Sequence, residues 1–166
     1  MTAKQITIRN AVFDKIVSDA SGYVLTDLEI AKTFYPRRQL EELDDKPHIW
    51  VVAKAPAITL EGIIRSPKAI IFDLQVHIAI QQRLQPSASS FESDCEDLTE
   101  LYEQVLSTCM DHTLVDTVAN TSDYLFQRIE PMKDDNDQVY SYEDLTELNI
   151  FHAIFTAFYQ FHQQPT

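Results

Sequence analysis

At 166 residues the chain has the length of one domain on the usual scale of roughly 100–200 residues. Its composition, 45% hydrophobic with 10% aromatic and 23% charged residues, is that of a globular protein and excludes wholesale disorder and a fibrous repeat. Thirteen Lys and Arg against 26 Asp and Glu give a formal charge of −13, which argues against a main task of gripping nucleic acid or an anionic membrane through counterion release.

In chain order, Ile8, Val12, Phe13, Ile16 and Val17 recur at three- and four-residue intervals between charged residues, which predicts an amphipathic helix from Gln5 to Ala20. Gly22 is expected to end it in the left-handed cap conformation. Tyr23 to Leu43 contains Pro36 and mixed charges and reads as a connector with a short helical turn around Leu28 and Ile30. His48 to Lys54 is β-branched and aromatic, and Ile58 to Ile64 is a second short run, so the two predict a hairpin or neighbouring strands. Pro47 and Pro56 at the margins of the first run place it toward a sheet edge.

Phe72, Leu74, Val76, Ile78 and Ile80 alternate with Asp73, Gln75, His77, Ala79 and Gln81, the pattern of a strand with one buried and one wet face. The wet face is uncharged apart from Asp73, and suits contact with another subunit as well as it suits water. Pro86 to Ser90 lies in a flexible loop near residues 84–92. Ser93 and Glu96 have capping-box spacing, and Leu98, Leu101, Tyr102, Val105, Leu106 and Cys109 continue as the apolar side of a second helix, Asp94 to Met110. Tyr124 to Glu130 reads as a strand, and Lys133 to Gln138 as a charged tip within a second flexible loop near 131–145. Leu148 to Phe161 fits a helix or a strand. Its Phe, Ile, Thr and Tyr content and the polar row His152, Thr156, Gln160 and His162 favour a strand. These elements make a single α+β domain over 1–166, with an antiparallel or mixed sheet of four to five strands and two helices packed on one face.

No membrane helix is expected, because Ile70 to Ile80 and Leu148 to Phe161 are interrupted by polar residues and fall short of about 20 residues. Met1 to Asn10 has no apolar run or cleavage site of a secretory signal, so the chain is expected to stay where it is made. Cys95 and Cys109 lie about four helical turns apart, too far for a bridge, and read as reduced thiols.

The five histidines are scattered and form no CxxC, HxxxH or HExxH spacing, so no metal or other cofactor is expected. Asp134, Asp135, Asn136 and Asp137 lack the spacing and glycine of a calcium loop and read as an exposed acidic loop. The carboxylates flanking both cysteines raise rather than lower a thiol pKa. Two glycines in the whole chain leave nothing from which to build a phosphate-cradling loop. No catalytic residues are assigned, and the chain does not read as an enzyme.

The order of helix, strand pair, long amphipathic strand (Ile71 to Arg83), Ser-rich loop, acidic helix (Asp94 to Met110) and terminal strand pair resembles the tail-terminator and head-tail joining proteins of long-tailed bacteriophages. The resemblance covers nearly the whole chain as element order and carries no diagnostic motif. It implies a virion protein assembled in the host cytoplasm, a ring that is commonly a hexamer, and contacts to a tail tube protein and a head connector. It further implies a central channel that DNA crosses without specific binding, for which an acidic wall would be suited. Subunit contacts are then expected at Gln75, His77 and Gln81 on the long strand, at His152 and Thr156 on the last one, and at Trp50, which serves equally well as a core residue. The acidic loop Asp134, Asp135 and Asp137 precedes that last strand. A small acidic inhibitor or DNA mimic is the alternative function. An enzyme of unrecognised type, with a deep pocket and a perturbed His or carboxylate, is a third.

Overall fold

The computed structural model describes residues 4–33, 43, 45–54, 57–63, 66–110, 124–133, 137 and 140–163. Ile8, Val12 and Ile16 fall on one side of helix α1 (Lys4–Asp19) and are fully buried. The helix runs on into a 3₁₀ turn, Ala20–Gly22, which closes when the Tyr23 amide donates to the Ala20 carbonyl at 3.2 Å. The expected left-handed cap at Gly22 is therefore not formed, because the tightened turn satisfies the orphan carbonyl instead. A Cβ on Gly22 would meet nothing within 4 Å, so Gly22→Ala should stabilise the protein by about 0.4–1 kcal/mol through loss of unfolded-state freedom. A thermal melt reads this, and a fall in midpoint would mean that the turn needs glycine.

Six strands form one mixed sheet: β1 (Glu29–Thr33), β2 (His48–Ala53), β3 (Ala57–Ile63), β4 (Ser66–Arg83), β5 (Tyr124–Pro131) and β6 (Ile150–Gln163). The order is β1-β2-β4-β6-β5, and β3 pairs with β4 as well. The architecture is α+β as the element order predicts. The helical turn expected around Leu28 and Ile30 is instead β1, parallel to β2 from Glu29↔His48 to Thr33↔Val52. Lys32 reaches over the Phe13 ring of α1 at 4.7 Å, so the strand is held by its neighbours rather than by its own propensity.

Two expectations for the first strand pair are corrected. β2 and β3 do not pair with each other; they share one side of β4, with β2 on residues 76–81 and β3 on residues 66–73. Nor is β2 an edge, since β1 covers it. Its residues 49–52 are buried whichever way they point, Ile49 and Val51 under the helices and Trp50 and Val52 against Ala31, Ala79 and Ile154 of the sheet itself. Pro47 stands just outside β2 and accepts the Glu29 amide at 3.0 Å.

β4 and β6 pair antiparallel without a break from Ile70↔Gln163 to Arg83↔Ile150, which makes Leu148 to Phe161 a strand at its centre. Helix α2 (Phe91–Met110) begins before the expected capping box. Ser90 stands at its start and accepts the Asp94 amide at 2.8 Å, while the Ser93 hydroxyl, inside the first turn, donates to the Ser90 carbonyl. A short third helix, α3 (Tyr142–Glu147), occupies part of the region read as a flexible loop, capped by Ser141, whose hydroxyl accepts the Asp144 amide at 3.2 Å. Among the described residues, α1 and α2 lie on one face of the sheet. Ile8, Val12, Leu98, Leu101 and Val105 meet Ile49, Val51, Leu74, Val76, Ile78, Phe151, Phe155 and Tyr159 there.

Candidate interaction face

Side chains alternate across each strand, so the register decides which residues share the face turned away from α1 and α2. Pairing aligns them in rows. Glu29, His48, Gln81 and His152 form the first row; Ala31, Trp50, Ala79 and Ile154 the second; Thr33, Val52, His77, Thr156 and Glu130 the third. Gln75, Phe158 and Arg128 follow, then Asp73, Gln160 and Leu125. All six residues expected to carry subunit contacts therefore lie on one face, across three adjacent strands.

Several polar groups of this face satisfy one another. Thr156 Oγ1 and His77 Nδ1 lie 2.7 Å apart, and Gln160 Nε2 donates to Asp73 Oδ1 at 2.8 Å. His152 Nδ1 sits 2.9 Å from Asp144 Oδ2 of α3, and His48 stacks on Trp50 with ring centroids 5.6 Å apart. The Arg128 guanidinium covers the Phe158 ring at 3.9 Å and donates to Glu130 at 2.6 Å. Neutral or internally paired groups of this kind cost less to desolvate in a contact than free charges do.

The face is wet only in part. Gln75 and His77 are half-buried, but Ala79 is 1% and Gln81 5% exposed. Trp50 and Ile154, paired on either side of Ala79, close over the small residue, and two imidazoles flank Gln81. Trp50 itself is 7% exposed and packs with Val52 and Ala79, so of its two expected roles the core residue is the one seen within the single chain. Ile154 and Phe158 escaped the sequence reading. Their signal was parity with His152 and Thr156, which puts two large apolar groups in a row read as polar.

Burial pushes the His77 imidazole below its ordinary value of 6.5, and the Lys54 ammonium adds to the effect. The folded state thus resists a proton that the unfolded chain accepts, so stability declines as pH falls through 6.5 toward the lowered folded value. His77→Gln should flatten that decline between pH 7.5 and pH 5.5 in thermal melts. An unchanged slope would place the pH dependence elsewhere.

At the corner where β6 meets α3 a cavity of about 260 Å³ opens, lined by Met132, Lys133, Tyr140, Ser141, Asp144, His152 and Ile154. Of the acidic loop, Asp137 is exposed in the left-handed conformation at φ 64° and pairs with Lys133 at 2.7 Å, while Asp134 and Asp135 lie outside the described residues. Burial, helped by Asp94 and Glu92, raises the Cys95 thiol, and full burial raises that of Cys109, so neither is an activated nucleophile. No group of three or more metal-ligating side chains converges among the described residues. No protein-family model matches the chain, and no curated protein matches it significantly.

Proposed function

We propose that the protein is a structural subunit of a bacteriophage virion, which assembles into a ring at the head-tail junction, ends the tail tube and joins it to the head connector. The observation that supports this reading is the sheet face turned away from the two long helices, where six residues expected at subunit contacts stand together and the His77, Thr156 and His152 side chains are hydrogen-bonded. A second feature fits the passage of DNA. Helix α2 carries six carboxylates and no basic residue, with Glu92, Glu96, Glu100 and Glu103 exposed along it. A wall bearing such a stripe repels phosphates and lets DNA slide without being held. The tail tube protein and the head connector are the neighbours in this reading, and no cofactor or membrane takes part.

Light scattering at low and high salt, alone and with isolated phage tail tubes, tests it. The expected result is a closed species of about six times the 19.1 kDa chain mass, formed alone or on the tube ends. Gln75→Arg, which sets a long charged group at a half-buried position of the face, should abolish that species and leave the melting curve of the monomer nearly unchanged. A monomer under every condition, tubes included, would overturn the ring and favour an acidic mimic that fills a partner's basic groove.

A further inference from the structure

β5 closes one side of the sheet, and among the described residues no strand lies along its outer edge. The Met132 amide donates to the Ile154 carbonyl at 2.9 Å, which continues the register Pro131↔Phe155 by one residue. The alternation of an antiparallel pair then turns the backbone groups of Arg128 and Glu130 toward β6, and the amide and carbonyl of Ile129 toward the open edge. Two of the five exposed large apolar residues among those described flank this stretch, Leu125 at 46% and Met132 at 58% exposure.

The stretch is complementary to itself. Laid antiparallel against a second copy with Ile129 opposite Ile129, Arg128 falls opposite Glu130. The bulge between Phe126 and Arg128 shifts the count by one, so Leu125 falls opposite Met132 rather than Lys133. Each match occurs twice about the axis. Leu125, Arg128, Glu130 and Met132 all share the face turned away from the helices, by the parity of the β6 residues they stand beside, so the members of each pair meet on one side of the joined strands. Arg128 and Glu130 already bond within the chain, but through Nε and Oε1, which leaves the Nη groups and Oε2 for the second copy.

We propose that the protein forms a dimer in which β5 pairs antiparallel with β5 of a second copy, about a two-fold axis at Ile129. The two sheets become continuous, the Ile129 residues exchange a pair of backbone hydrogen bonds, and Leu125 and Met132 of the two copies cover each other. The bulge on one side and Pro131 on the other bound the open stretch, so it takes this short register and not any passing strand. So short a contact gives a weak, concentration-dependent dimer. It is isologous, whereas a ring needs a heterologous contact, so the proposal goes beyond the ring reading and does not depend on it.

Sedimentation equilibrium over a range of concentrations tests it in the Gln75→Arg chain, in which no ring is expected, so that the pair is read without the ring. This parent should give a species of about twice the 19.1 kDa chain mass. Arg128→Glu or Glu130→Arg, added singly and each checked for folding by its melt, sets like charges opposite one another twice and should weaken that species roughly tenfold or more. Mixed, the two should restore it as a 1:1 pair, because two cations of one chain then face two carboxylates of the other. Leu125→Asp, which leaves the charged residues in place, should weaken the dimer as well. A parent that is monomeric at every concentration, a charge variant that pairs as well as the parent, or a mixture that stays monomeric although the parent pairs overturns the β5 contact and leaves the ring reading as it was.

Discussion

Phe155→Ala is expected to lower the free energy of unfolding by about 3–5 kcal/mol, a loss of roughly 6–20 °C in melting midpoint for a chain of this size. Phe155 is fully buried in the middle of β6, opposite Ile78 of β4, and meets the Tyr102 ring of α2 edge-on at 5.4 Å. It thus fills the space where the long helix and the two longest strands converge. Truncation removes the aromatic contact and leaves a cavity bounded by a strand ladder that cannot collapse inward without breaking register. Denaturant titration of the purified variant reads the loss. A change below about 1 kcal/mol would mean that α2 does not rest on β6 in this way.

Gln81→Met is expected to act in the opposite direction, raising stability by about 1–2 kcal/mol. Gln81 is 5% exposed, and its Oε1 has no hydrogen-bond partner among the described residues. A buried acceptor in that state carries a desolvation penalty of about 1–3 kcal/mol, which an unbranched apolar side chain of similar length avoids. The flanking His48 and His152 are directed toward carboxylates of their own, Glu29 at 3.6 Å and Asp144 at 2.9 Å. On the ring reading the stabilised variant should assemble less well than the wild type, since the amide then serves the contact between copies. A variant that is both destabilised and fully able to assemble would show the amide to be a structural element of the monomer.

The long strand could be read in the sequence because its alternation is a local property, and so could the inward or outward parity of Gln75, His77 and Gln81. Their meeting with Trp50, His152 and Thr156 could not, since it depends on the β2–β4 and β4–β6 register, which nothing in any one segment encodes. β6 was ambiguous for a physical reason. Ala153 and Ala157 sit at its core face because α2 packs closely there, and alanine is also the best helix former. β1 was misread because Glu29–Thr33 becomes a strand only through β2. The His152–Asp144 pair was invisible for a similar reason. The two residues are brought back together by a reversal at Asn149, held at φ 56°, whose carbonyl accepts the Leu84 amide at 2.7 Å. Trp50 was judged by its type, whereas its burial is decided by the neighbours that pairing supplies.

The central position of β6 sets the timing of folding. Ile80 pairs with Ala153, which leaves the ribosome about 73 residues later, a wait of roughly 4–15 s at ordinary synthesis rates. During that interval β4 has one unmatched edge along most of its length, and β5 has not yet met the strand that will hold it. Most of the contacts joining this sheet are therefore distant along the chain, which favours slow refolding in the range of milliseconds to seconds and a window for edge-to-edge association between nascent copies. The chain thus passes first through a state that invites edge-to-edge association, and expression at lower temperature or with holding chaperones should raise the soluble yield.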